Sequence, residues 1–106
     1  MASKIYILVK DTVDLGHAIL GAAHASLSGY LTFQDQPRMQ EWATKSFRKV
    51  VCKVSDAEFE KAKTYGEPNV DYRVMVESGL DNMEVAIVFC PKEDWPPFFK
   101  SLKLYK

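Results

Sequence analysis

The sequence has no excess of charge of either sign and no long apolar run. Fourteen Lys and Arg balance fourteen Asp and Glu across 106 residues, so no overall field attracts the protein to nucleic acid or to a membrane surface. No apolar segment is long enough to cross a bilayer, and the N-terminal residues lack the apolar region and cleavage site of a signal peptide. We therefore expect neither a membrane partner nor a DNA partner.

Cysteine is also scarce, with only Cys52 and Cys90 in the chain. Both stand inside apolar, strand-like segments, where a cysteine usually packs as a small buried hydrophobic residue. We interpret them as free thiols rather than as a disulfide, which agrees with a cytoplasmic location.

The remaining composition is typical of a globular domain. Hydrophobic residues make up 47% of the chain and charged residues 26%. Segments rich in β-branched and aromatic residues predict four strands. Capping residues and prolines predict the helix starts, among them Asp14 or Thr12 as the cap of the first helix and a capping box from Ser55 to Glu58. The predicted strands are 4–10, 49–54, 72–78 and 83–90; the predicted helices run over 15–33 and begin at Pro37, after Ser55 and after Asp94.

The order of these elements is β-α-α-β-α-β-β-α, which is typical of an α/β fold. The turn between the last two strands is too short for a crossover connection, so these strands should form an antiparallel hairpin. We predict a single three-layer domain over residues 1–106, with a mixed four-stranded sheet between helices. The expected core-facing residues of the first two helices are Ile19, Ala22, Ala23, Ser26, Leu27 and Tyr30, then Met39, Trp42, Ala43 and Phe47.

Both histidines lie in one short stretch of the first helix, GHAILGAAHAS. His17 and His24 are separated by about 700° of rotation and about 10.5 Å of rise, so they share a face of the helix. They are too far apart to bind one metal ion, for which the H-x-x-x-H spacing is typical, and we expect no metal and no cofactor. His17 follows a strand-to-helix junction, where α/β folds build ligand sites, and is better placed for chemistry than His24.

The stretch GHAILGAAHAS resembles the G-K-I-A-A-Q-x-A-H-A signature of the class II peptidyl-tRNA hydrolases, the archaeal and eukaryotic type. KVVCKVSDAEFEKAK resembles their strand and capped helix, VESGL resembles their D-A-G-R-T-Q segment, and some members share the ending LKLY. The resemblance implies a mixed four-stranded sheet flanked by helices and no built-in metal. It also implies hydrolysis of the ester that joins a peptide to tRNA, with peptidyl-tRNA as partner and possible homodimers.

The resemblance implies three catalytic residues. His17 replaces the family's lysine, Glu77 replaces its aspartate, and His24 retains its histidine. His17 would act as a base or electrostatic partner, Glu77 would orient the imidazole or a water, and His24 would support the site. The expected substrate-binding residues are Lys10, Gly21, Gly79 and Asp81.

The chain departs from the family pattern at several positions. Gly21 replaces a glutamine, and Leu80 and Asp81 replace an arginine and a threonine, so donors that could hold a water or an oxyanion are lost. An alternative function is therefore a non-hydrolytic fold relative that binds a small polar or cationic ligand, or a protein partner, in an acidic crevice. The sheet edge expected to form this crevice carries Asp11, Asp14, Glu77, Asp81 and Glu84, against Lys10 and His17.

Two further alternatives follow from residue types. A hard divalent cation could be held by Asp11, Glu77 and Asp81. Cysteine catalysis with His24 as the base would need a thiol within hydrogen-bond reach. Cys90, however, is expected at the opposite edge of the sheet from His17.

Overall fold

The computed structural model describes residues 2–106 and contains one mixed four-stranded sheet. Its strands are β1 (Lys4–Lys10), β2 (Arg48–Val54), β3 (Tyr72–Glu77) and β4 (Met83–Phe89). The strand order is β2-β1-β4-β3, in which β1 pairs in parallel with β2, and β4 pairs antiparallel with both β1 and β3. The predicted α/β fold with a mixed sheet and a terminal hairpin is confirmed.

Four helices cover the sheet: α1 (Leu15–Phe33), α2 (Pro37–Glu41), α3 (Asp56–Ala62) and α4 (Pro97–Lys100). One buried cluster joins α1 and α2 to one face of the sheet, and a second joins α3 and α4 to the other face. The sheet therefore lies between two helical layers, as predicted. Within residues 2–106, no helix is both long enough and apolar enough to cross a membrane.

The predicted helix starts are only partly correct. Ser55 and Glu58 form the expected capping box of α3. The predicted cap of α4 by Asp94 is wrong, because Pro96 occupies the N-cap position and no side chain caps this helix. The fixed φ of proline prepares the first turn for a helix without such a cap.

Alternation along β1 decides which layer each side chain enters. Ile5, Ile7 and Val9 belong to the cluster beneath α1, whereas Tyr6 and Leu8 belong to the cluster beneath α3 and α4. Both β1 and β3 run antiparallel to β4, so their carboxyl ends lie at the same edge of the sheet. The first turn of α1 follows β1 at this edge.

The predicted core stripe of α1 is wrong at Ile19, Ala23 and Leu27. Ala23 is exposed, and Ile19 and Leu27 are 63% and 62% exposed, although Ala22 and Tyr30 do pack against the core. Apart from Phe33 at its C-terminal end, the helix instead faces the sheet with small side chains. Its buried residues are Ala18, Gly21, Ala25, Gly29 and Phe33.

The close approach of α1 to β4 explains this choice of face. A Cβ placed on Gly29 would lie 2.9 Å from Cγ2 of Val88, which is fully buried. The branched side chains of β4 already fill the space beneath the helix. Larger residues of α1 are therefore directed to the opposite side, where they remain exposed.

The segment after α2 also differs from prediction. Trp42–Ser46 forms a π-helical turn that ends at Phe47 in a left-handed conformation, with φ 57°. Met39 and Trp42 are buried as expected, but Phe47 is 59% exposed and stacks on Trp42 with ring centroids 5.1 Å apart. The left-handed turn carries Phe47 out of the core, so its predicted core position is wrong.

Candidate active site

The carboxyl ends of β1 and β3 bring a small polar cluster together beside the first turn of α1. Asp14 stands at the N-cap of α1 and His17 lies within its first turn. Glu77 ends β3, and Gly79 lies in the 3-10 turn Ser78–Leu80 that follows. Met75, two residues before Glu77 on the same face of the strand, is part of the core beneath α1. Glu77 is therefore directed towards the layer that contains His17.

Asp14 holds the backbone and the ring of His17. Its Oδ2 accepts the backbone N–H of His17 at 3.3 Å, and its Oδ1 lies 2.7 Å from Nδ1 of the ring. Because an ionised carboxylate only accepts hydrogen bonds, Nδ1 carries a proton, which leaves Nε2 of the neutral ring as an acceptor. The hydrogen bonds from the ring and backbone of His17 lower the pKa of Asp14 and keep its carboxylate charged.

The free Nε2 of His17 faces the turn that follows β3. A Cβ placed on Gly79 would lie 3.8 Å from this nitrogen and 3.3 Å from Oε1 of Glu77. The same Glu77 oxygen accepts the backbone N–H of Gly79 at 3.1 Å. The space above Gly79 is thus bordered by an imidazole nitrogen and a carboxylate, and a side chain at this position would occupy it.

The role of Asp14 as the partner of His17 was not predicted. From the sequence, Asp14 is a candidate helix cap and one residue of an acidic edge. The signal was its spacing from His17, because the N-cap side chain and the residue three positions later are neighbours in a capped helix. In the structure the imidazole is oriented by Asp14, and no hydrogen bond joins Glu77 to His17 within the described range 2–106.

Two other predicted site residues lie away from this cluster. His24 is exposed, and among residues 2–106 it takes part in no hydrogen bond or ion pair. Gly21 is buried against β4, where an added Cβ would lie 3.4 Å from Cγ2 of Val85. Gly21 therefore faces the sheet and not the crevice beside His17.

The edge expected to be uniformly acidic is divided between the two layers. On the α3 side, Lys10 lies 3.7 Å from Asp56, and Lys63 donates to Glu84 at 2.7 Å. Burial opposes the charged form of Lys63, but its hydrogen bonds to Glu84 and Glu60 outweigh this effect and raise its pKa.

On the α1 side, the negative groups include Asp14 and Glu77. Asp81 is exposed and follows the 3-10 turn with φ 55°. Lys10 points to the opposite layer, because it lies on the same face of β1 as Tyr6 and Leu8, which pack beneath α3 and α4. The structure therefore brings His17, Glu77 and Gly79 together and directs Lys10 elsewhere.

The metal and thiol alternatives lack the necessary geometry. Within residues 2–106, no three His, Cys, Asp or Glu side chains form a group that could hold a metal ion, so the cation site suggested for Asp11, Glu77 and Asp81 is not supported. Burial raises the pKa of both Cys52 and Cys90 to about 11, which keeps the thiols protonated near neutral pH. Cys90 lies beyond the end of β4, at the opposite edge from His17 as predicted.

Comparison with known proteins decides the family. The sequence model of the family described as peptidyl-tRNA hydrolase PTH2 matches residues 3–105, nearly the whole chain. The chain belongs to the PTH2 family. Its function is therefore peptidyl-tRNA hydrolase-like and related to translation, as the resemblance implied. A comparison with curated proteins gives no significant match.

The PTH2 family assignment gives the cluster around His17 its chemical context. In this PTH2 protein, a histidine held by a carboxylate stands where the resemblance places a lysine. Such a pair can accept and return a proton, which is what the hydrolysis of an ester requires.

Proposed function

We propose that this PTH2 protein hydrolyses the ester bond of peptidyl-tRNA, with His17 as the general base. The observation that carries the proposal is the 2.7 Å contact between Asp14 Oδ1 and His17 Nδ1, which leaves Nε2 available as an acceptor beside Gly79 and Glu77. The substrate class comes from the family, and the role of each residue comes from this geometry.

The reaction follows from these positions. A water above Gly79 would donate hydrogen bonds to Nε2 of His17 and to the Glu77 carboxylate. His17 takes a proton as the water oxygen attacks the ester carbonyl carbon, and the negative charge of Asp14 stabilises the imidazolium that forms. The tetrahedral intermediate collapses when the bond to the ribose oxygen breaks, and His17 returns the proton to that oxygen. The products are a peptide with a free carboxyl group and a tRNA with a free hydroxyl.

The proposal is tested by cleavage of a labelled N-blocked aminoacyl-tRNA. We expect His17→Ala to lower kcat by roughly 10²–10⁴-fold, the usual contribution of a general base. His24→Ala is the matched comparison, because it removes the second histidine of the same helix. Since His24 has no contact with the proposed reacting atoms, we expect a change of less than about 10-fold for this variant. This variant also tests the supporting role that the resemblance implied for His24.

Two results would contradict the proposal. Equal activity of His17→Ala and wild type would exclude His17 as the base. No cleavage above buffer at high protein concentration would favour the alternative of a non-hydrolytic relative, and small polar or cationic ligands should then be screened at the crevice of Glu77 and Asp81.

We also propose that the protein acts in the cytoplasm and forms a homodimer. A substrate produced during translation supports action in the cytoplasm.

The surface of α1 supports a homodimer. This 19-residue helix contains no Asp, Glu, Lys or Arg, yet it exposes an apolar row. The row is spaced at every fourth residue and consists of Leu15, Ile19, Ala23, Leu27 and Leu31.

A second copy of the chain fits this row because the row is symmetric about Ala23. In an antiparallel crossing of two such ridges, Ile19 of each copy would pack near Leu27 of the other, and the small Ala23 would lie at the centre. Leu20 and Phe47 extend the surface, with 43% and 59% exposure. At about 200 Å² for a large side chain, these residues expose roughly 700 Å², close to the roughly 800 Å² that each partner contributes to a standard interface.

A further inference from the structure

Half of the positive charge of the chain lies in two stretches that contain no acidic residue. Residues 42–55 hold four of the fourteen Lys and Arg, and residues 95–106 hold three. Neither stretch contains Asp or Glu, so all fourteen acidic residues lie elsewhere. The neutral overall charge therefore conceals a strong local imbalance.

The fold joins these two stretches at one side of the sheet. The backbone N–H of Lys53 donates to the carbonyl of Lys103 at 3.0 Å. The N–H of Tyr105 donates to the carbonyl of Val51 at 2.9 Å. The C-terminal segment thus lies along β2, and Lys53, Lys103 and Lys106 line an open cavity of ≈ 490 Å³. We define the basic edge as the surface formed by Arg48, Lys49, Lys53, Lys103 and Lys106.

The charges of the basic edge are not neutralised by neighbours. Among residues 2–106, none of its five side chains takes part in an ion pair. Lys10 and Lys63, on the α3 side of the molecule, are by contrast paired with carboxylates. A surface that concentrates unpaired Lys and Arg is suited to a polyanion.

Tyr105 connects the basic edge to the helix that carries His17. The Nζ of Lys53 lies 4.7 Å from the centroid of the Tyr105 ring. The same tyrosine lines a small cavity with Ala18 and Ala22 of α1, and Ala18 directly follows His17. Three strand spacings separate β2 from β3, which corresponds to roughly 14 Å between the basic edge and Glu77. A single-stranded RNA end can span this separation.

We propose that the basic edge binds the phosphate backbone of the RNA whose terminal ester is presented to His17. This inference rests on the proposed function for the identity of the polyanion. In this arrangement the positive charges that bind RNA lie beside the acidic crevice rather than within it. The phosphates are therefore held away from the carboxylates of the site.

Protection of an exposed strand edge is the competing explanation for these lysines, because Lys on edge strands discourages association between sheets. The C-terminal segment already occupies the hydrogen-bonding edge of β2 at Val51 and Lys53. Lys103 and Lys106 belong to that covering segment itself. Protection of the β2 edge therefore does not explain why Lys103 and Lys106 lie beside Lys53.

The test compares two triple variants that remove the same charge. Lys53→Gln/Lys103→Gln/Lys106→Gln alters the basic edge, and Lys61→Gln/Arg73→Gln/Lys100→Gln alters other surfaces. Binding of uncharged tRNA is measured by fluorescence anisotropy at several salt concentrations. With about 0.7–0.9 counterions released per phosphate contact, we expect the first variant to bind roughly 50–170-fold more weakly near 0.15 M salt, with a shallower salt dependence. The second variant should bind nearly as wild type.

The proposal is overturned if the basic-edge variant binds as tightly as wild type, or if both variants lose equal affinity. Cleavage kinetics separate this inference from the proposed function. If the wild type is active, we expect the basic-edge variant to have a higher KM for N-blocked aminoacyl-tRNA and an unchanged kcat. An unchanged KM would refute RNA binding by the basic edge but not the proposed hydrolysis. If wild type cleaves nothing but binds tRNA through the basic edge, the proposed hydrolysis fails and the binding surface stands.

Discussion

Replacement of Gly29 by alanine tests how closely α1 packs on β4. The added Cβ would lie 2.9 Å from Cγ2 and 3.2 Å from Cγ1 of Val88, closer than methyl groups tolerate. Val88 is fully buried and β-branched, so it cannot rotate away freely. Alanine improves helix propensity by about 1 kcal/mol over glycine, whereas overpacking of a core costs about 1–3 kcal/mol. We therefore expect Gly29→Ala to lower the free energy of unfolding by up to about 2 kcal/mol.

Gly21 provides the matched control on the same face of the same helix. There an added Cβ would lie 3.4 Å from Cγ2 of Val85 and 3.8 Å from Cβ of Ala86, which are close to ordinary contacts. The gain in helix propensity is then offset by little overpacking. Gly21→Ala should therefore stabilise the protein by up to about 1 kcal/mol.

Thermal unfolding followed by circular dichroism separates the two variants. A change of about 1 kcal/mol shifts Tm by roughly 4–8 °C in a domain of this size, so the two values of Tm should move in opposite directions. If Gly29→Ala melts at or above the temperature of Gly21→Ala, the close contact with Val88 does not limit the packing of α1. The stated reason for the buried glycines would then be wrong.

Two further predictions concern the start and the outer surface of α1. Asp14→Asn keeps a good N-cap but removes the carboxylate, whose pKa is lowered below its ordinary value of 3.8 by His17. The stabilisation from ionised Asp14 is present above pH 3.8 and is lost as the pH falls through the lowered pKa, so the difference in unfolding free energy between wild type and variant should shrink as the pH falls below 3.8. A difference that does not shrink below pH 3.8, measured by urea unfolding at each pH, would show that Asp14 is not held as an ionised partner of His17. For the homodimer, sedimentation of wild type should show a concentration-dependent dimer that Leu27→Glu abolishes and that Val70→Glu, an equally polar change on another surface, retains. A wild-type monomer at all concentrations would rule out pairing through α1.

The strand and helix pattern was predictable because it depends on local chemistry. β-branched and aromatic residues predicted four strands within a few residues of their observed ends, and the capping box at Ser55 predicted the start of α3. The short connection before Met83 required a hairpin. The family likewise follows from residues that are neighbours in the chain, and the match over residues 3–105 confirms it.

The face of α1 that meets the sheet was not predictable from hydrophobicity. Apolar residues surround this helix, so its periodicity does not favour a single face. The choice depends on the branched residues of β4, which are more than fifty positions away and leave room only for Gly and Ala. Only the packed structure therefore shows that Ile19 and Leu27 are exposed.

Part of the candidate site likewise depends on residues that are close in the sequence, and part depends on residues that are far apart in it. The sequence by itself limited the cap of the His17 helix to Thr12 or Asp14. The structure selects Asp14, and the three-residue spacing in the capped turn places its side chain beside the ring of His17. The tertiary structure alone decided that Glu77 and Gly79 border the free nitrogen of that ring, and that Lys10 faces the opposite layer. It also decided that Lys53 and Lys103 meet at one edge. These contacts join residues far apart in the chain, and their positions depend on strand order and on which face each side chain takes.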